Sequence, residues 1–262
     1  MVLKANGLDY EIRFNDIPLD KGTGAVDTEF PLNQWTFTGI NTLSASAKGS
    51  FEHPSHLSMS VYVKEMYEVG SDPILLMDIV INGCEGKPVL EQSMAPTDAL
   101  SPIKIVQKEP ETYIVLRKCE LEVPFKDWLW IHCKTIPDTR RTFDELLACY
   151  QEFHRLLKAK NRKIIEEKMQ PALKEYMGAY FITDYQQALD DFEIMDLMND
   201  SGLKLANIVP DQLDLKVFGK GRLASLLNKQ NGESPIFFDQ LGMKIHIDMA
   251  YCKKYSDWIQ IR

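Results

Sequence analysis

The chain reads as two structural parts, an antiparallel β-sandwich over residues 1–136 and an α+β unit over residues 137–262 with helices packed on a curved antiparallel sheet. Three observations predict this. Apolar and polar residues alternate in steps of two before Ile136-Pro137-Asp138, helical steps of three and four follow, and the two-step rhythm returns beyond Pro210. At 262 residues the chain has the length of two ordinary domains.

In the first part, Tyr10, Ile12 and Phe14 fall on one side of a predicted strand, as do Leu57, Met59, Val61 and Val63. Further strands are predicted at 74–81, 113–117, 119–123 and 128–134. Turn-forming stretches separate them at Asn82-Gly83, Glu85-Gly86-Lys87-Pro88 and Ala95-Pro96-Thr97-Asp98. His53 and His56 flank Pro54-Ser55, a surface-loop pattern, since a metal normally takes three or four ligands. Trp128, Trp130 and His132 share one face of the predicted 128–134 strand. Two flat rings there suit either a platform for a sugar or base, or burial against the second part.

Residues 31–35, ending in Trp35, precede a bend carrying Gly39, Asn41 and Leu43. This segment resembles the turn of many jelly-roll and carbohydrate-binding-type sandwiches. Gly39 and Asn41 are expected to tolerate the backbone angles of a tight turn, with Trp35 and Leu43 anchoring its two sides.

The second part opens with a helix whose start lies at 138–145, where Thr142 and Glu145 have capping-box spacing. Phe143, Leu146, Leu147, Tyr150, Phe153, Leu156 and Leu157 then mark its apolar face. A second helix is predicted over 163–177, kinked or restarted at Pro171. A third follows Thr183-Asp184 and runs to about Met198. Strands are predicted at 213–217, 222–227, 235–238, 243–249 and 258–262, punctuated by Gly219-Lys220-Gly221, Asn231-Gly232 and Gly242.

Helices ahead of antiparallel strands, with Trp258, Ile259 and Ile261 in the last strand, resemble the cone-shaped fold of the SnoaL and nuclear-transport-factor-2 superfamily over roughly residues 140–262. The chain lacks that pattern's early hairpin between helices. The resemblance implies either isomerase, cyclase or dehydratase chemistry at a polar cluster inside the cone, or a noncatalytic binding role.

Composition narrows the function classes. A net charge of -8 opposes broad attraction to phosphate backbones, so nucleic acid is not the expected partner. Mean hydropathy is -0.24, and no apolar run approaches a membrane span or a secretory signal, so a cytoplasmic address without membrane is expected. The five cysteines include no Cys-x-x-Cys pair and are expected to be reduced and mostly buried. A basic group (Arg155, Lys158, Lys160, Arg162, Lys163) precedes an acidic one (Asp184, Asp190, Asp191, Glu193, Asp196, Asp200). Each reads as a solvated helix surface or a docking face.

No zinc-protease helix, nucleophile elbow or phosphate loop is present, and Gly219-Lys220-Gly221 reads as a turn. No metal and no cofactor are expected. The candidate acid-base pair is His246 with Asp248, two apart on a strand and opposite Ile245, Ile247 and Met249. His246 can move a proton near neutral pH if that face lines a cone, and otherwise the pair is a wet sheet surface. The expected function is a noncatalytic, cytoplasmic protein-binding module, of the immunity type that neutralises a bacterial toxin. The alternative is a SnoaL-like enzyme or small-ligand binder.

Overall fold

The computed structural model describes residues 1–52, 54–64, 72–95 and 98–261. The predicted His53 lies outside them, as do Pro96 and Thr97 of one predicted turn. The chain divides into two compact units, Met1–Phe125 and Lys126–Arg262.

The first unit holds β1 (Val2–Asn6), β2 (Asp9–Phe14), β3 (Ile17–Thr23), β4 (Val26–Glu29), β5 (Gly39–Lys48), β6 (His56–Val63), β7 (Ile74–Cys84), β8 (Lys87–Leu90), β9 (Lys104–Glu109) and β10 (Thr112–Leu121). They form two antiparallel five-stranded sheets, ordered β4-β1-β6-β7-β8 and β3-β2-β5-β10-β9. Alternation does what the sequence predicts: Tyr10, Ile12 and Phe14 are buried on one sheet, and Leu57, Met59 and Val61 on the other. Each such side chain contributes roughly 2 kcal/mol by leaving water. Val63 departs from its expected face and is exposed, because a bulge between Val61 and Tyr62 shifts the register. The two strands predicted at 113–117 and 119–123 are one, β10. His56 opens β6 instead of lying in a loop, and its Nδ1 stands 2.8 Å from Asn82 Oδ1.

The Gly39–Leu43 bend works differently from the expectation. Gly39 does take a left-handed φ of 114°, but Asn41 lies within β5 and acts through its side chain. Its fully buried amide donates to Phe37 O (2.7 Å) and Gly39 O (3.0 Å), and its Oδ1 accepts from Asn15 Nδ2 (2.7 Å) and Phe37 N (3.2 Å). Trp35 and Leu43 are buried on either side. A second buried polar cluster joins the sheets: Arg117 Nη1 of β10 donates to Asp78 Oδ1 (2.7 Å) and Asp78 O (2.9 Å) of β7. Asp78 also accepts from Met94 N (2.8 Å) and the Ser93 hydroxyl, while Arg117 Nε donates to Ser101 O (3.1 Å), so the pair also pins the connection from β8 to β9.

The second unit holds α1 (Arg140–Lys158), α2 (Arg162–Tyr180), α3 (Tyr185–Asp190), α4 (Ile194–Asn199), β11 (Lys204–Leu205), β12 (Leu213–Phe218), β13 (Leu223–Asn228), β14 (Phe237–Gln240), β15 (Met243–His246), β16 (Tyr251–Lys254) and β17 (Asp257–Gln260). The cap of α1 is Thr139, one turn ahead of the predicted Thr142; its hydroxyl accepts from Thr142 N at 3.2 Å. α2 runs through Pro171 as one element. The predicted third helix is two, because Glu193 takes a left-handed φ of 52° between α3 and α4. Asp184 caps α3 as expected.

The strands separate into β11-β14-β15 and β12-β13-β16-β17, where the sequence predicts one curved sheet. The reason is visible between β15 and β16. There Ile247 O accepts the Ser234 hydroxyl (2.6 Å), and Met249 O accepts the hydroxyls of Ser225 (2.5 Å) and Tyr150 (2.9 Å), so carbonyls that would extend a ladder are taken by side chains. The predicted strand at 243–249 stops at His246, and β16 lies where the sequence predicts no strand. Phe143, Leu146, Tyr150, Phe153, Leu156 and Leu157 of α1 share the core with Ala224, Leu226, Ile236 and Phe238.

Residues 126–136, which periodicity groups with the first part, belong to the second unit. Leu129 N donates to Glu175 of α2, Lys134 N to Lys253 O (3.0 Å), and Ile136 N to Gly221 O (2.7 Å). Cys133 is disulfide-bonded to Cys252 of β16 across a sequence separation of 119. That bond corrects the expectation of reduced cysteines for these two, since widely separated cysteines meet only once the chain folds. Cys84, Cys119 and Cys149 are free.

Candidate functional site

Trp128, Trp130 and His132 do not form a platform. The segment predicted as a strand is a short 3-10 helix, Leu129–His132, and its tighter winding sends alternate residues to different sides. Trp128 and Trp130 are only 4% and 1% exposed, so neither ring offers a face for stacking. Trp128 packs near Gly178 of α2. His132 turns outward, 3.4 Å from Asp127 at the surface.

The second predicted site is placed differently. His246 ends β15, opposite Phe237 of β14, and the two rings lie 5.0 Å apart. Its Nδ1 lies 2.9 Å from Ser234 O, and since a carbonyl only accepts, Nδ1 carries the proton of this bond. Its Nε2 stands 3.2 Å from Glu233 Oε2, yet makes no hydrogen bond and is itself buried. The carboxylate beside His246 is thus Glu233, which sequence spacing does not single out because it lies across a turn rather than two residues along the strand. Asp248 follows the end of β15 and is exposed.

Two cavities adjoin this histidine. A smaller one of about 160 Å³ lies against Glu233, Phe237, Lys244 and His246. The larger, about 250 Å³, does bring His246 and Asp248 together. Its walls are Phe192, Ile194 and Leu197, from the α3–α4 link and α4, and Ile245 and Ile247 from β15 and beyond, with Glu193 and Gln260 completing the lining. Glu193 makes no side-chain hydrogen bond to the α4 terminus, although it occupies the capping position.

Charge is segregated between the units. Residues 1–125 hold 18 Asp and Glu against 10 Lys and Arg, an excess equal to the whole net charge of -8, whereas residues 126–262 hold 20 of each. The basic and acidic groups of the second unit are both exposed, as a solvated surface and a docking face alike require. On the first unit, Val106 and Ile114 face each other across β9 and β10 and are both exposed, as is Ile40 beside Glu120.

Among the described residues, no group of three or more His, Cys, Asp or Glu is placed to hold a metal ion, and no helix is long and apolar enough to cross a membrane. No protein-family model, curated protein or solved structure matches the chain.

Proposed function

We propose that the chain is a noncatalytic protein-binding module built from a β-sandwich and an α+β unit, whose acidic first unit receives a basic protein partner, as an immunity-type protein occludes a toxin's basic active site. One observation supports this above others: the entire charge excess resides in residues 1–125, on a unit that also exposes Ile40, Val106 and Ile114. A one-signed unit steers an oppositely charged partner by long-range attraction, and apolar side chains within the contact hold it. The test is copurification of the full chain from its source cells, followed by kinetics with the recovered partner. A basic partner is expected, with an association rate that falls steeply with salt. Neutralising Glu109, Glu111, Glu120 and Glu122 to Gln should slow it at least tenfold. An acidic partner, or a rate indifferent to salt, refutes the proposal.

A second reading, a small-ligand binder or SnoaL-like enzyme, is favoured by the cavity that His246 and Asp248 both line. On this reading, His246→Ala removes turnover or ligand binding and leaves the fold intact.

A further inference from the structure

The larger cavity beside His246 has a lining that specifies the chemistry of an occupant. Phe192, Ile194, Leu197, Ile245 and Ile247 supply an apolar interior. Glu193 and Asp248, both exposed, supply two carboxylates at its edge. No Lys or Arg is among the described residues that line it. The surrounding chain strengthens this sign, since Asp184, Asp190, Asp191, Asp196 and Asp200 accompany Glu193 over residues 184–200 without a Lys or Arg. Lys244, the nearest cation along β15, borders the other cavity and lies 5.1 Å over the Phe237 ring.

Apolar walls under a rim of one sign select an amphipathic ligand of the opposite sign. The hydrocarbon body leaves water against the five apolar side chains, and the charge stays at the wet rim where the carboxylates attract it. An anion of the same shape meets repulsion there, and a neutral isostere gains only the apolar part. Building on the small-ligand reading, we infer that this cavity binds an organic ammonium ion with an aliphatic or aromatic body, either a free amine or the lysine side chain of a polypeptide.

The test uses the full chain with labelled isoleucine methyl groups, followed by NMR while phenethylammonium, 2-phenylethanol and 3-phenylpropionate are titrated separately. A fourth titration uses Nα-acetyl-lysine amide, which presents a lysine side chain without other charges. Shifts at Ile194, Ile245 and Ile247 are expected with phenethylammonium or the lysine amide, at least tenfold tighter than with the alcohol and with none from the carboxylate. Preference between the two ammonium probes identifies the source. The double variant Glu193→Gln, Asp248→Asn changes only exposed side chains; it should weaken ammonium binding about tenfold and leave the alcohol unchanged. Equal or stronger binding of the alcohol or the carboxylate overturns the inference while sparing the small-ligand reading. Silence of all three methyl groups toward every probe overturns both.

Discussion

Glu175 provides a stability switch with a worked magnitude. Its carboxyl is drawn from solvent in α2 and accepts the Leu129 N–H; desolvation outweighs that bond and pushes its pKa from 4.5 up to about 7. Between those values the folded chain binds the extra proton and the unfolded chain does not. Stability is therefore fully present below pH 4.5 and declines as pH rises to about 7, then levels. At about 1.4 kcal/mol per pH unit, the decline amounts to roughly 3 kcal/mol. Glu175→Gln keeps an oxygen for Leu129 N–H but cannot ionise, so its stability should not show this decline. Urea unfolding at half-unit steps from pH 4.5 to 8 should give a difference between the variant and the original chain that grows by that amount. Parallel curves for the two proteins would refute the reasoning.

Removing one partner of the Asp78–Arg117 pair, as in Asp78→Ala, leaves a buried guanidinium without its carboxylate and should cost about 3–5 kcal/mol in urea unfolding. The double change Asp78→Ala, Arg117→Met should recover much of that loss. Asn41→Ala strips buried partners from Asn15 and Phe37 and should cost at least about 2 kcal/mol, read as a lower thermal midpoint. Reducing the Cys133–Cys252 bond with dithiothreitol should destabilise the chain by about 5 kcal/mol, given the long loop it closes; an unchanged unfolding midpoint would contradict that role.

Strands were legible where one face is wet, as in β2 and β6, and helix α1 was legible because its apolar stripe is regular. Reading failed where side chains override period. Trp128 and Trp130 are two apart, as strand neighbours are, yet the local winding is a 3-10 turn fixed by contacts such as Leu129 to Glu175, far away in sequence. The end of β15 failed similarly, since the hydroxyls that take the Ile247 and Met249 carbonyls come from Ser234, Ser225 and Tyr150. At the candidate site, spacing found His246 and Asp248, which share a cavity. It did not bring Glu233, Phe192, Glu193, Ile194 or Leu197 to them, because those approach only once the chain folds.

The attachment of residues 126–136 to the later half governs how the protein is dissected for experiments. Cutting at Pro137, where rhythm changes, would strand Cys252 as an orphan thiol and empty the slot that Trp130 fills, giving a sticky fragment whose behaviour misrepresents the parent. A cut after Phe125 keeps the bridge, both tryptophans and the acid that holds Leu129 in a single piece.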